Sequence, residues 1–480
     1  MTFLSFNYFL LLSITFIIYY LTNNKYKYWV VFFASILFIY SISVDVLSFS
    51  LLFTVLNYFG GSLLFKYLKS KNLRKVIFWT LIGIDIGILI FYKYINFILG
   101  SITSIFETLQ VPLKIDLINL ILPIGISYYT FQAIGYIIRI NRGFEIPEKN
   151  FVKFSSFLLF FPKFLSGPVE RSNHFLPQIT NLGKFNQADI SSGLRLILFG
   201  AFKKMVIADN LYDPVSIVYS NVHQYSGTPL ILVLFIQLIY IYCDFSGYTD
   251  IALGSAKLLG IDIMDNFNRP FMAKSITEFW KRWHISLSSW CNEFIYLPFI
   301  VKYRKLGNTA AVLGIFITFL IIGIWHGANW TFVVLGLFQA IAITYEFYTK
   351  RYRLKFASRF PVWLTNIISR ILVFVFMGFS MVFFFSDSIS DALYFTTHIF
   401  EKAEFRFSGF RFLTDAYKFK LALCLFIFLM GLEIINENGY DLKILFEKQP
   451  RWVRWMIYYF VIILIYFYNP ENSTFVYMSF

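Results

Sequence analysis

Runs of apolar residues, most of them near the roughly 17 to 25 that carry a helix across a bilayer, recur along the whole of this 480-residue chain. They fall at residues 5–22, 28–44, 47–65, 76–95, 117–138, 191–208, 229–243, 310–326, 330–347, 362–385, 419–435 and 455–468. Spacing of this kind predicts an all-α integral membrane protein of about ten to twelve transmembrane helices. Composition agrees: 58% of residues are hydrophobic and 14% charged, and the mean hydropathy is +0.65, outside the usual soluble balance. The first run has no basic stretch before it and no small-residue cleavage site after it, so it is expected to be a retained helix rather than a signal peptide.

The formal charge of +15 comes from 42 Lys and Arg against 27 Asp and Glu. Basic clusters lie at Lys25 and Lys27, Lys66 to Lys75, Arg139 to Lys153, Lys302 to Lys305, Lys350 to Arg359 and Lys443 to Arg454. Lys and Arg collect in cytoplasmic loops, which places residues 97–116 and 386–418 outside, together with both termini. Most of the excess is therefore topological, a share is available to an anionic cofactor, and no nucleic-acid partner is expected. No fixed-period repeat or long linker interrupts the chain, so residues 1–480 are expected to form a single multi-pass membrane domain in contact with lipid.

Two stretches break the pattern. Residues 139–190, with "FPKFLSGPVERSNHFLP", are rich in Pro, Gly and charge. Non-helical backbone at membrane depth persists only where protein or a wet cavity satisfies it, which predicts a re-entrant or interfacial element. Residues 242–298 set Asp244, Asp250, Arg269, Glu278, Lys281, Arg282 and His284 among aromatics and aliphatics. That is too much charge for a lipid-facing span; an amphipathic interfacial helix is the simpler reading for Lys281 and Arg282.

Of the five histidines, His174, His223 and His398 sit in polar contexts that suit surface residues. His326 stands in "GIWHGANW", between two apolar runs, with a bulky ring on one side and small residues on the other. It reads either as an interhelical hydrogen-bonding group or as a general base in a dry cavity, where burial keeps imidazole neutral and able to accept a proton. Neither His284 nor His326 has a metal-ligand companion at helical spacing, and Cys243, Cys291 and Cys424 are scattered, so no metal is expected. No nucleophile elbow, P-loop or dinucleotide fingerprint is present in a credible setting.

Four blocks, "FFPKFLSGPVER" (160–171), "YCDFSGYTDIALGSAKLLGI" (242–261), "NFNRPFMAKSITEFWKRWHISLSSW" (266–290) and "GIWHGANW" (323–330), together resemble the membrane-bound O-acyltransferases, in the bacterial branch of alginate and peptidoglycan O-acetylases. The resemblance implies transmembrane and re-entrant helices around a central tunnel, in the cytoplasmic (inner) membrane of a bacterial cell. It implies acetyl-CoA as acyl donor and an extracytoplasmic glycan as acceptor, reached directly or through a periplasmic or extracellular partner acetyltransferase. The family's near-invariant histidine corresponds to His326 and the second histidine of this branch to His284, giving the expected catalytic pair. Asn329 is a further candidate for positioning, and Arg139, Arg142, Lys163 and Arg171 for holding the donor's phosphates. Asp244, Asp250 and Arg269 are expected to pair around the bent segments.

Tyr477, in "NPENSTFVYMSF", is a candidate transient acyl carrier, or else part of an aromatic interfacial end. After the histidine block the branch often reads Arg-Asp and then a Pro-Leu-Gly-Gly turn; here "CNEFIYLPFIVKYRK" carries Asn292 and Glu293. That departure bears on the acceptor more than on the reaction. Two alternatives remain: D-alanyl transfer to teichoic acid within the same family, and a polysaccharide exporter or flippase, which commonly shows related halves.

Overall fold

The computed structural model describes residues 4–111, 115–120, 122–183, 185–401, 413 and 415–468. Every extended regular element among them is helical, and their single β-type pairing is an antiparallel bridge between Phe267 and Trp283. Eight helical stretches are long and apolar enough to cross a membrane: Val44–Lys66, Lys71–Thr108, Thr228–Leu258, Asn308–His326, Trp330–Ala357, Val362–Phe385, Ala416–Glu437 and Arg451–Tyr468. The chain is a multi-pass membrane protein.

The other four expected runs form shorter or broken helices. Phe6–Leu21 has 16 residues and Lys27–Tyr40 has 14, which at about 1.5 Å per residue fall short of a ~30 Å core. In the 117–138 run, helix begins only at Ile126, after Pro123 and a left-handed Gly125 (φ 80°). A Cβ there would stand 2.5 Å from the Phe164 carbonyl oxygen, so only glycine admits the turn. The 191–208 run is helical to Ala201 and then widens into a π-helical turn, Phe202–Ala208.

Contacts group the chain into two compact units, residues 1–197 with 251–264, and residues 198–250 with 265–480. In the first, irregular buried backbone is satisfied by side chains, as burial away from water requires. Ser35 Oγ accepts from Phe161 N at 3.1 Å, Tyr136 OH from Glu148 N at 3.1 Å, and Glu170 Oε2 from Met264 N at 2.8 Å. Residues 160–171 are buried throughout, Phe161 lying against Tyr8 and Phe38 and Phe164 stacked on Tyr129.

The helix Thr228–Leu258, which belongs to the second unit as far as Asp250, runs on through Asp244 and Asp250, where the sequence suggested irregular backbone; that begins only after Leu258. Burial explains the difference. Its most apolar window is 83% buried inside the protein, and the carboxylates meet lysines of the π turn rather than Arg269. Lys204 Nζ lies 2.6 Å from both Asp244 Oδ1 and Asp209 Oδ1, and Lys203 Nζ is 2.9 Å from Asp250 Oδ2 and from Ser246 Oγ. Arg269 pairs with Glu437 at 3.2 Å, beside Arg282, which bridges Glu437 and Glu278 at 2.8 Å. Close approach of the π turn to this helix needs Gly247, whose Cβ would meet the Gly200 carbonyl at 2.8 Å.

Removing one partner of a buried ion pair strands the other, a loss of about 3–5 kcal/mol. Lys204→Met, which leaves Asp209 and Asp244 facing each other, is expected to lower the unfolding midpoint in detergent steeply, and Lys204→Arg much less. An unchanged midpoint for Lys204→Met would show that this pairing does not hold the unit together.

Candidate active site

His326 is the last residue of the helix Asn308–His326, and extended Gly327 turns the chain before Asn329 caps the helix Trp330–Ala357. The two helices lie in glycine-level contact. A Cβ on Gly323 would stand 2.3 Å from Phe332 O, and one on Gly336 2.4 Å from Phe319 O. Any side chain at either position would push the pair apart and with it the joint that holds His326.

The imidazole of His326 is buried at 7% exposure among aromatic rings, with centroids 5.2 Å from Trp325, 5.6 Å from Phe384 and 6.3 Å from His284. His284 is wholly buried and sits in left-handed backbone (φ 46°), a rare conformation for a residue with a Cβ. Asn266 holds it there: its side-chain oxygen accepts from Ser286 Oγ at 2.6 Å and from Ser286 N at 3.2 Å, and lies 3.3 Å from His284 Nδ1. Its backbone oxygen accepts from Ile285 N at 3.0 Å. Rings of Phe245 and Trp325 cover His284, 4.9 and 5.6 Å away. The structure thus brings the two histidines, 42 residues apart in sequence, to one place.

A cavity opens beside His326, lined among others by Trp280, Phe319, Gln339, Met381 and Phe384. Among the described residues no carboxylate, lysine or arginine lines it. Gln339 was not singled out from the sequence, although a lone amide in an apolar span is itself a signal. Nor was Asn266, whose role depends on a contact 18 residues away.

The remaining candidates are placed as follows. Asn329 accepts from Thr331 N at 3.1 Å and donates to the Asp387 carbonyl at 2.7 Å, so its amide fixes the joint after His326. In the first unit, Arg139 Nε meets Glu145 at 3.3 Å, and Ser172 Oγ donates to the same carboxylate at 2.6 Å. Arg171 is buried and donates to the Val169 carbonyl at 2.6 Å. Lys163 is also buried, its ammonium bound to Gln132 Oε1 and to the Phe157 carbonyl. Arg142 is exposed. Tyr477 lies outside the described residues. Among the described residues no group of three or more His, Cys, Asp or Glu is placed to hold a metal ion.

Two buried histidines in an apolar setting are an arrangement able to accept and pass on a proton away from bulk water. Comparison with known proteins names the class. The profile of the MBOAT, membrane-bound O-acyltransferase family matches residues 147–386, which contain both histidines. The chain is 33% identical over 345 residues to a probable alginate O-acetylase of Pseudomonas putida, covering 70% of this chain and 69% of the relative. It is 28% identical over 367 residues to a peptidoglycan O-acetyltransferase of Helicobacter pylori, covering 69% and 68%. It is 31% identical over 279 residues to a teichoic acid D-alanyltransferase of Bacillus subtilis, covering 55% and 69%. The chain belongs to the membrane-bound O-acyltransferase family.

The Asn266 contacts give a test of how the site is held. Asn266→Ala deletes the oxygen that Ser286 Oγ and N donate to and that lies beside His284 Nδ1, at about 0.5–1.5 kcal/mol for each hydrogen bond lost. The variant is expected to unfold at lower temperature in detergent than wild type; equal midpoints would remove Asn266 as the organiser of the His284 turn.

Proposed function

We propose that this protein transfers acetyl groups from acetyl-CoA, supplied at the cytoplasmic face of a bacterial cell membrane, to hydroxyl groups of an extracytoplasmic polysaccharide. The glycan receives them directly or through an exported partner acetyltransferase. The observation that carries this reading is the placement of His326 in an apolar cavity free of charged side chains, next to a second buried histidine.

In this reaction the acceptor oxygen attacks the thioester carbonyl carbon. A C–O bond forms, the C–S bond breaks, and the hydroxyl proton passes to His326 and from there to the departing thiolate. A dry cavity suits the base, because burial disfavours the imidazolium until the transfer itself creates it. His284, wedged in its strained turn, positions the base or the acyl carbonyl, and Asn329 fixes the chain just after His326. Arg139, Arg142, Lys163 and Arg171 are the cations proposed for the donor's phosphates. Arg142 is exposed, and the Lys163 ammonium is bonded to Gln132 Oε1 and to the Phe157 carbonyl.

The lining also bears on the alternatives. A D-alanyl group carries an ammonium, and the described residues that line the cavity include no carboxylate to pair with it, which favours acetyl over D-alanyl. An exporter has no evident use for a buried histidine pair. The similarity to O-acetylases of alginate and peptidoglycan points the same way.

His326→Ala, assayed in membranes for acetyl-CoA consumption alongside protein abundance, is expected to lose about 10²- to 10⁴-fold in rate, the typical worth of a general base. Full activity in a well-inserted variant would take His326 out of the mechanism. Loss of glycan export with acetylation intact would instead favour the exporter. Membranes that ignore acetyl-CoA but consume an aminoacylated carrier protein would favour D-alanyl transfer.

A further inference from the structure

We infer that the cavity beside His326 is the site of the acyl group's alkyl end, and that Trp280, tethered by Gln339, sets the length of acyl chain it accepts. This rests on the acyl-transfer reading above and adds to it the residues that choose the donor. The cavity measures about 20 Å³, little more than one water-sized sphere needs. An alkyl end longer than a methyl group would press on Trp280 and Phe319, which line it.

The walls are built to stay where they are. Gln339 is 1% exposed; its Oε1 accepts from Trp280 Nε1 at 3.0 Å, and its Nε2 donates to Ser380 Oγ at 2.5 Å. Swinging the indole aside would break the first of these bonds and leave a buried donor and acceptor unsatisfied. The Trp280 ring also packs edge-on against Phe319, with centroids 5.1 Å apart. On the opposite side Gly323 and Gly336 hold the two helices at backbone contact, so that wall has no slack either. Because the Gln339 amide is engaged by Trp280 and Ser380, the face it turns to the cavity suits an alkyl group better than a sugar hydroxyl.

The group transferred is the acyl moiety of a thioester. Its carbonyl carbon meets the acceptor oxygen at His326 while its alkyl end occupies the cavity, and the thiol leaves with the proton. Each methylene beyond acetyl then has to displace a wall. A tight apolar pocket discriminates by about tenfold or more per methylene, so butyryl transfer is expected roughly 100-fold below acetyl.

The test compares rates with acetyl-CoA and butyryl-CoA on the same membranes, so that the ratio is independent of how much folded protein each preparation holds. Trp280→Leu is expected to raise the butyryl-to-acetyl ratio about tenfold or more. Gln339→Leu, which keeps bulk but releases the indole, is expected to raise it by a smaller factor. Trp280→Phe supplies the measurement if the leucine variant does not accumulate. A wild type that uses butyryl-CoA as well as acetyl-CoA, or variants whose ratio does not move, would overturn the assignment. Wild-type membranes that transfer acyl groups from neither donor would instead bring down the acyl-CoA reading itself, and this assignment with it.

Discussion

Glycines at 323 and 336 let two long apolar helices touch backbone to backbone, and the geometry of the site follows from that contact. The first helix ends at His326 and the second starts one turn of chain later, so the angle and separation of the pair dictate where the imidazole points. Gly327 is held to the same standard: a Cβ would come within 2.0 Å of the Phe332 ring. In a bilayer, where the surrounding lipid is as apolar as leucine, association of helices relies on such close packing rather than on water exclusion.

A second requirement is that every charge taken into the protein be met. The helix Thr228–Leu258 carries two aspartates at depth, and the lysines that answer them come from a π-helical turn that offsets the register of the preceding helix. Tyr242 on the same helix donates to Glu433 at 2.5 Å. Arg282 and Arg269 converge on Glu437 from the block that carries His284. These pairs tie the histidine-bearing segment 266–290 to the helix Ala416–Glu437, and they leave the cavity beside His326 without a charged lining. Keeping charge pairs out of the cavity lining agrees with the proposed role of His326 as a base that stays neutral until it takes a proton.

Much of this was legible in the chain. Apolar length alone identified all eight helices that can cross a membrane, because burial of backbone groups in lipid leaves no other solution for such runs. Proline, glycine and charge in 160–171 marked buried non-helical backbone, and the two histidines outside ordinary surface contexts are the two that meet. Less was legible where local pattern and tertiary burial disagree. Asp244 and Asp250 suggested a broken segment, whereas lysines 40 or more residues away made a continuous helix tolerable. Lys163 has the look of an available cation, yet its ammonium is enclosed by Gln132 and the Phe157 carbonyl.

The sequence by itself determined that this protein is helical and multi-pass, which residues belong to its family's motifs, and which two histidines stand outside ordinary surface contexts, since apolar length and residue type are local properties. Only the tertiary structure decided that Asn266 holds His284 in a left-handed turn, that Gln339 reaches Trp280 across 59 residues, and that the space left beside His326 is small and uncharged. Those facts depend on which side chains meet after packing, and no spacing along the chain encodes the volume left between them.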